Sequence, residues 1–402
     1  VLEQQSHLGG KVGTIHRDGF RVECGPNGFL DTNPATLELC RELGLGDRLT
    51  AACEAAGRNR FVFVNGKLRR LPGGFWSFLT SGALSWRAKL NLLTERFRPP
   101  RRDLGDESID AFARRRAGGE IAETLADAFV TGIHAGDPTL LSVRAAFPRL
   151  AAMEREHGSV TKGFAAGRRK GRASMWSFRE GLSLLIDTLR DGLRTAPVVG
   201  VTIRSVRRLP DGGWEVRAEG RDAWKADAVA LTCPAYRQAA LLADEDAELA
   251  AKIDGIAYSG VAVVALGYRT ADVPMSLEGF GYLSPQRERR DVLGVQWCSS
   301  IFPDRAPSGM ALLRALCGGW NRPEIVAWDD DRLLTAVRAE LRQAMGVQAA
   351  PVFHEIVRWD RAIPQYHLGH LDRVAWIEER AARPPGLLLG GNAYHGVALN
   401  DC

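Results

Sequence analysis

The fold of this chain is decided by the stretch Gly386-Leu387-Leu388-Leu389-Gly390-Gly391-Asn392, near the end of its 402 residues. Three leucines between glycines predict a buried strand that runs into a glycine-rich turn. The next stretch, Val397-Ala398-Leu399-Asn400-Asp401, predicts the start of a helix whose first backbone amides face a phosphate group. The pattern therefore indicates the phosphate-binding half of a nucleotide site.

The matching half lies at the other end of the chain. Val1-Leu2-Glu3 predicts a strand that ends in an acid, which accepts hydrogen bonds from a ribose diol, and Leu8-Gly9-Gly10-Lys11 follows. We therefore expect one dinucleotide site built from both ends. No G-x-G-x-x-G occurs, and neither the strand, turn and helix expected before Val1 nor the helix expected after Asp401 is in the sequence. We interpret the chain as an internal portion of a longer protein, which by itself leaves a sheet edge exposed and binds its cofactor poorly.

The composition is that of an ordinary globular protein, with 45% hydrophobic and 25% charged residues, and the length allows more than one lobe. No apolar run reaches 18 residues, so no spanning helix is expected. The seven cysteines form no C-x-x-C pair, which favours reduced thiols over disulfides or zinc. They are Cys24, Cys40, Cys53, Cys233, Cys298, Cys317 and Cys402.

The positive charge is concentrated in one segment. Residues 67–172 contain 20 Lys and Arg against 11 Asp and Glu, whereas the whole chain has a net charge of only +5. Apolar Phe75-Trp76 and Phe78-Leu79 lie beside the basic clusters. Two interpretations remain open, an anionic membrane surface as partner or a merely solvated face. No nucleic-acid-binding motif accompanies the charge, so no nucleic-acid partner is expected.

Hydrophobic periodicity predicts an α/β (α+β) fold in which strand-rich segments flank a helical insert. Residues 59–71 indicate a hairpin around Asn65-Gly66, and 84–163 are helical in pattern. Further helices are predicted near 34–44 and 329–345. Strands are predicted at 198–207, 213–218 and 226–232 for a small sheet, at 261–268, 281–283, 293–298 and 310–316 for a second sheet, and at 352–359 and 387–391.

Four sequence blocks, in order and with their spacing, resemble the FAD-dependent protoporphyrinogen oxidases of haem biosynthesis, within the amine-oxidase-like flavoproteins. The blocks are Glu23-Cys24-Gly25-Pro26-Asn27-Gly28-Phe29-Leu30, Thr131-Gly132-Ile133-His134-Ala135-Gly136-Asp137-Pro138, Ile363-Pro364-Gln365-Tyr366-His367-Leu368-Gly369-His370-Leu371 and 391–402. The resemblance implies an incomplete Rossmann-like FAD-binding domain from residues 1–58, 176–245 and 366–402. It also implies a mixed-sheet substrate domain from 59–83 and 246–365, a helical, membrane-associating domain at 84–163, and a connector at 164–175.

The resemblance implies an oxygen-dependent, six-electron oxidation of protoporphyrinogen IX to protoporphyrin IX, in three hydride transfers to the flavin. The cofactor performs the redox chemistry, so no catalytic side chain is assigned. No metal is expected either, because His367 and His370 share a face without a third ligand, which favours a structural role.

Cofactor contacts follow from the matched positions, although each glycine taken alone is typical of an ordinary turn. Glu3 would bind the adenosine ribose, with Gln4 beside it, and the turn from Gly25 to Gly28 would lie beside the isoalloxazine ring. The full set implied to bind FAD is Glu3, Gln4, Gly9, Gly10, Lys11, Gly25, Pro26, Asn27, Gly28, Ile203, Val397, Ala398 and Leu399.

Substrate contacts are implied in the same way. Arg69 matches the family's propionate-binding arginine, and Gly132 matches a glycine whose backbone borders a pyrrole. Two alternatives remain open: Lys67 or Arg70 binds the propionate instead of Arg69, or the end of the hairpin is merely solvated. Leu283 and Leu316 match apolar pocket walls, with core packing as the alternative for both. Gln296 stands where the family usually has an aliphatic wall, which puts the detailed substrate preference in doubt.

Two other hypotheses stay open. The same fold would oxidise coproporphyrinogen III, the tetracarboxylate precursor, or the chain would be a flavin-free interaction protein. The partners expected are the porphyrinogen, dioxygen and an anionic membrane surface, with a homodimer and a ferrochelatase contact compatible with the resemblance. The expected location is the cytoplasm, with peripheral attachment to the cytoplasmic membrane.

Overall fold

The computed structural model describes residues 1–71, 82–101, 103, 105–167 and 173–402. These residues form a mixed α/β architecture, which confirms the predicted fold class. The strands of the described residues are β1 (Thr14–Arg17), β2 (Phe20–Glu23), β3 (Phe29–Leu30), β4 (Leu49–Ala51), β5 (Arg60–Val64), β6 (Lys67–Arg70), β7 (Met175–Phe178), β8 (Ile203–Arg208), β9 (Trp214–Ala218), β10 (Trp224–Ala226), β11 (Val229–Leu231), β12 (Tyr258–Arg269), β13 (Gly281–Leu283), β14 (Val292–Trp297), β15 (Met310–Gly318), β16 (Phe353–Pro364) and β17 (Leu387–Leu389).

The helices fall into a central group and several that flank the sheets. The α-helices of the described residues are Ala35–Glu42, Glu54–Arg58, Trp86–Thr94, Ile109–Ala117, Gly119–Ile121, Asp127–His134, Val143–Ala146, Pro148–His157, Val160–Gly167, Ser183–Asp191, Ala235–Leu242, Ala247–Asp254, Cys298–Ile301, Asp330–Met345 and His370–Ala381. A π-helical turn over Ala122–Ala126 joins two of them. The predicted helical pattern of 84–163 is confirmed. None of the described helices has the length and apolar character needed to span a bilayer.

The largest sheet has seven strands in the order β16-β12-β15-β14-β13-β5-β6. It contains the four strands predicted between residues 261 and 316, and the predicted hairpin, β5 and β6, extends it because β5 pairs in parallel with β13. Asn65 and Gly66 both have positive φ angles, 53° and 74°, as the tight turn of this hairpin requires. Distant segments therefore share one sheet.

One face of this sheet is sealed by the helix Asp330–Met345. Leu333, Val337 and Leu341 recur every four residues, so they form one apolar stripe against Trp297 and Leu313. The Asp329 side chain caps this helix by accepting from the Arg332 amide. The opposite face is therefore the one left for a ligand.

The strands around the small sheets differ from the sequence prediction in two places. Val1–Glu3 is not a full strand, because only Leu2 forms a parallel bridge, to Val198. β11 does not join the small sheet β10-β9-β8 but pairs in parallel with β17, so placing 226–232 in that sheet was wrong. At the helix start predicted over Val397–Asp401, the chain forms a 3₁₀ turn, Leu399–Asp401.

Candidate functional site

The open face of the large sheet carries a row of paired residues across five neighbouring strands. Arg69 pairs with Val62, which is in register with Leu283, then Gly294 and Leu316. Paired residues point to the same face, and strands lie about 4.8 Å apart, so the row spans about 19 Å. Three of the residues predicted to bind substrate therefore lie in one line.

The middle of this row borders open space. Leu283, Gln296 and Leu316 are half-buried, although most residues of their strands are fully buried. Gln296 lies on the same face, two residues from Gly294. We call the region bordered by Leu283, Gln296 and Leu316 the slot.

Arg69, at the edge of the row, is half-buried. Its guanidinium approaches Gly82, where an added Cβ would lie 3.1 Å from Nη1. Arg70 pairs with Phe61 and points to the opposite face. Lys67 shares the face of Arg69 but sits at the exposed end of the hairpin. The geometry therefore favours Arg69 over both alternatives.

The helix Asp127–His134 forms the roof of the slot. A Cβ at Gly132 would lie 2.6 Å from Leu283 Cδ2, so helix and sheet approach closely only because this residue is glycine. The end of the helix is pinned by Gln365, whose Nε2 donates to the His134 carbonyl at 2.8 Å and to Ser259 Oγ at 3.0 Å. Gln365 belongs to a quoted sequence block, but a role for it was not predicted.

One end of the slot meets the turn from Gly25 to Gly28. Arg314 Nη1 donates to Gln296 Oε1 at 2.9 Å, and its Nη2 donates to the Gly25 carbonyl. Trp359 Nε1 donates to the Cys24 carbonyl at 2.8 Å. The pKa of Arg314 is lowered by its burial. Sequence reasoning missed Arg314, although an arginine within the apolar run of β15 is a signal of a buried polar contact.

The closing segment lies against the same turn region. Asn400 Nδ2 donates to the Leu30 carbonyl at 3.2 Å, and Asn33 Nδ2 donates to the Asn400 carbonyl at 3.0 Å. Leu399 packs on the cluster that contains Phe29. Of the predicted contacts, Leu399 therefore lies next to Phe29 and Leu30, and Val397 and Ala398 directly precede it in the chain.

The first residues of the chain lie near the glycine-rich turn that follows β17. The Glu3 amide donates to the Val198 carbonyl at 2.9 Å, two residues before Gly200 and five before Ile203 at the start of β8. The charge of Glu3 and, above all, burial raise the pKa of Cys233 to about 11. A Cβ at Gly391 would lie 3.3 Å from the carbonyl of Thr232. The two ends of the chain thus meet at Thr232 and Cys233, with Gln4 exposed beside Glu3.

Lys11 lies beside the turn from Gly25 to Gly28. A Cβ at Gly25 would lie 2.3 Å from the Lys11 carbonyl, and one at Gly9 would lie 2.5 Å from the Val12 carbonyl. Gly9 and Gly10 have positive φ angles, 97° and 55°. Burial lowers the pKa of the Lys11 ammonium to about 8. An anionic group such as a phosphate would favour its charged form.

The turn from Gly25 to Gly28 has unsatisfied polar atoms. Asn27 is 4% exposed, and its Oδ1 and Nδ2 have no hydrogen-bond partner among the described residues. Buried polar groups normally have partners, and an isoalloxazine ring offers both donors and acceptors at its edge. Asn27, Lys11 and the glycines that allow close approach therefore fit a flavin cofactor.

Two histidines considered as metal ligands make packing contacts instead. His370 stacks on Tyr366 at 4.1 Å between ring centroids, and its Nε2 lies 3.1 Å from the Tyr394 carbonyl. His367 packs edge-on against Trp320. Burial lowers the pKa of His370 to about 4. No cluster of three or more metal-ligating side chains occurs in the described parts of the chain.

Part of the predicted membrane surface lies outside the described residues. This applies to Phe75-Trp76, Phe78-Leu79, Arg102 and the basic run 168–172. In the described neighbouring helix, Trp86–Thr94, the apolar residues Trp86 and Leu90 are exposed, and so is Phe97 just beyond it.

Comparison with known proteins agrees with this geometry. The family described as flavin containing amine oxidoreductase matches residues 1–402. The chain is 32% identical to a coproporphyrinogen III oxidase of Propionibacterium freudenreichii, covering 100% of this chain and 83% of that one. It is 28% identical to one of Bacillus subtilis (100% and 88%) and 31% identical to a chloroplastic protoporphyrinogen oxidase of Nicotiana tabacum (100% and 78%).

The fold is also shared with solved structures. A protein of Exiguobacterium sp. 255-15, described as "Putative protoporphyrinogen oxidase", matches with a TM-score of 0.85 at 27% identity, covering 100% of this chain and 89% of that one. Cyclohexylamine oxidase of Brevibacterium oxydans matches with a TM-score of 0.70 at 15% identity, covering 100% and 88%, which shows the shared fold.

Proposed function

Since this chain belongs to the flavin containing amine oxidoreductase family, we propose that it oxidises a porphyrinogen in haem biosynthesis, with FAD as cofactor and dioxygen as acceptor. Relatives named coproporphyrinogen III oxidase and protoporphyrinogen oxidase support the substrate class. The observation that carries the proposal is the row from Arg69 through Leu283 to Leu316 on β15, the strand whose Arg314 donates a hydrogen bond to the Gly25 carbonyl. When bound, the flavin accepts the electrons of the oxidation.

The residues of the slot hold and orient the substrate. Arg69 supplies a cation for a propionate group, while Leu283 and Leu316 supply apolar walls for a flat macrocycle. The helix above them closes the space, with the Gly132 backbone directly over Leu283. Since the sheet is sealed on its other face, these groups keep water away from the reacting carbon.

The residues of the cofactor region have separate roles. Glu3 binds the adenosine ribose, and Ile203 contacts the adenine through its backbone. Lys11, next to Gly9 and Gly10, provides a positive charge near the phosphates. A bound phosphate would offset the free-energy cost of burying the charged ammonium. The turn from Gly25 to Gly28 and the segment Val397–Leu399 border the ring system. The hydrogen bonds of Asn400 with Asn33 and with the Leu30 carbonyl hold the end of this segment beside β3, which directly follows the turn.

The choice between two porphyrinogens depends on the slot's polar wall. Protoporphyrinogen IX is the first candidate. Coproporphyrinogen III is favoured by Gln296, whose Oε1 accepts from Arg314 and whose amide NH₂ has no acceptor among the described residues. A free donor in an otherwise apolar wall suits a substrate with more carboxylate groups.

The proposal is tested by comparing Arg69→Gln with its neighbour Arg70→Gln. The purified full-length protein should contain bound flavin and convert both chemically reduced porphyrinogens to fluorescent porphyrins, with one clearly preferred. Arg69→Gln should lower kcat/KM by about tenfold to a hundredfold, the size expected for loss of a charge-assisted hydrogen bond. Arg70→Gln should change it little, because this side chain points to the sealed side of the sheet. A colourless protein without oxidase activity would instead support a flavin-free interaction protein.

We also propose that the protein works in the cytoplasm and attaches peripherally to a membrane through its helical lobe. Trp86, Leu90, Leu93 and Phe97 recur along one side of the described lobe and are 40–73% exposed. Arginines lie beside them, at positions 87 and 96. Exposed aromatic and aliphatic side chains flanked by cations suit an anionic lipid surface.

A further inference from the structure

A cavity lies beside the slot, on the side away from the Gly25 turn. It has a volume of about 250 Å³ and lies between the roof helix, the loop after β13 and the end of β15. Ser284 directly follows Leu283 of the slot, and Gly318 lies two residues after Leu316. Arg314, which contacts the Gly25 turn, is about 14 Å from Gly318 along the same strand.

The cavity wall contains buried hydroxyl groups that lack partners. Thr131 and Ser284 are 2% and 3% exposed, and neither Oγ atom has a hydrogen-bond partner in the described residues. Both residues line the cavity. Because buried polar groups are normally satisfied, these two hydroxyls indicate a polar ligand at this position.

The charge of the wall indicates that this ligand is an anion. Three arginines and no carboxylate line the cavity. Arg290 is engaged by Glu340, and Arg322 pairs with Asp291 at 2.9 Å. The guanidinium of Arg289, which is exposed at the mouth, has no hydrogen bond or ion pair among the described residues. The wall therefore offers one uncommitted cation together with two hydroxyl donors.

The amide groups at the mouth strengthen this picture. Gln286 Nε2 donates to the Gly136 carbonyl at 3.2 Å, and the Asn321 side chain donates to Gln286 Oε1. These bonds tie the loop after β13 to the end of the roof helix. The cavity is thus a fixed pocket rather than a gap between unconnected surfaces.

We propose that this cavity is a second carboxylate subsite, which binds a propionate of the porphyrinogen remote from the one held by Arg69. This inference rests on the proposed function. The cavity lies two to four strands from Arg69, or about 10–19 Å across the sheet. Coproporphyrinogen carries a propionate on each pyrrole ring, whereas protoporphyrinogen carries vinyl groups on two of them. Only the former presents carboxylates at opposite edges, so the subsite selects coproporphyrinogen.

The subsite is tested with Arg289→Gln and, separately, with Thr131→Val combined with Ser284→Ala. Each variant should lower the ratio of kcat/KM for coproporphyrinogen to kcat/KM for protoporphyrinogen, by about tenfold for Arg289→Gln. The matched control is Arg287→Gln, an arginine of the same loop that lies outside the cavity and pairs with Glu288 at 3.6 Å. It should leave the ratio unchanged.

Equilibrium binding provides a second readout that does not depend on turnover. The affinity for coproporphyrin, followed by quenching of its fluorescence, should fall about tenfold in Arg289→Gln relative to the affinity for protoporphyrin. Flavin content should match that of the unaltered protein, which shows that the variant is folded. If the unaltered protein oxidises neither porphyrinogen, the proposed function fails. If it oxidises at least one and binds both porphyrins, and Arg289→Gln leaves their affinity ratio unchanged, only the subsite is refuted.

Discussion

Asp127 is a buried carboxylate at the start of the roof helix, and its ionisation opposes folding. Burial, above all, raises its pKa from 3.8 to about 6, although the Gln286 amide donates a hydrogen bond to it. The folded state therefore holds this proton more tightly than the unfolded chain does. The contribution of Asp127 to stability is greatest below about pH 4 and is lost as the pH rises through 6.

Asp127→Asn should therefore stabilise the protein at neutral pH. We expect the free energy of unfolding to rise by about 1–3 kcal/mol at pH 7.5, with the gain disappearing near pH 4. Urea unfolding at four pH values between 4 and 7.5 measures this. Glu123→Gln, a half-exposed carboxylate of the same helical run, serves as the control and should change stability by less than about 0.5 kcal/mol. A gain from Asp127→Asn that did not vary with pH would contradict the argument.

Sequence reasoning found the residues of the site that belong to local patterns, and it missed those defined by distant partners. Gly25, Gly132 and Arg69 lie in turns, blocks or hairpins that are visible over a few residues. Arg314 contacts Gly25 across 289 positions, and Gln365 contacts the His134 carbonyl across 231. Burial of such polar side chains depends on tertiary contacts that no local pattern contains.

At the scale of elements, the slot depends on how closely the roof helix approaches β13. Gly132→Ala would usually stabilise a helix by up to about 1 kcal/mol. Here the new methyl group would lie 2.6 Å from Leu283 Cδ2, so the leucine must rotate into the slot. We expect little change in stability but a several-fold rise in KM for the porphyrinogen, measured by porphyrin fluorescence.

A companion change checks this explanation. In the Leu283→Ala background, Gly132→Ala should raise KM less than it does in the unaltered protein, because the smaller side chain removes the contact. Gly57→Ala is the matched helix control, since a Cβ there meets nothing within 4 Å. Equal effects of Gly132→Ala in the presence and absence of Leu283 would show that the contact is irrelevant.

The strands of the large sheet could be predicted to within a few residues, whereas the small sheets could not. β12 to β15 carry continuous apolar runs, which specify buried strands by themselves. β3, β4 and β7 have two to four residues each and form a sheet that was not predicted. Such short strands depend on tertiary packing, for example of Phe29 with Phe178. The helix His370–Ala381 was also missed, because only the preceding sequence block was interpreted.

At the scale of the whole molecule, the order of segments along the chain explains why the helical lobe contacts the large sheet at the slot. β5 and β6 enter the large sheet before the helical lobe, and β12 to β16 enter it afterwards. The lobe is thus an insert whose roof helix returns to the sheet at Leu283. In the lobe's helix Trp86–Thr94, Ala88 belongs to the same core cluster as Val62 and Val64 of β5, while Trp86 and Leu90 are exposed.

This arrangement predicts that the lobe binds membranes without disturbing the slot. The triple variant Trp86→Ser, Leu90→Ser and Phe97→Ser should reduce co-sedimentation with vesicles containing anionic lipid by about tenfold or more, since each apolar side chain contributes about 1.5–3 kcal/mol when fully buried. Its turnover of porphyrinogen in detergent should be retained. The control replaces three exposed apolar residues elsewhere, Leu189, Val352 and Leu388, by serine and should sediment like the unaltered protein.

Because the lobe is also basic, binding should weaken at high salt and with neutral lipid. If co-sedimentation with vesicles changed neither with lipid charge, nor with salt, nor in the triple variant, the lobe would be excluded as a membrane anchor.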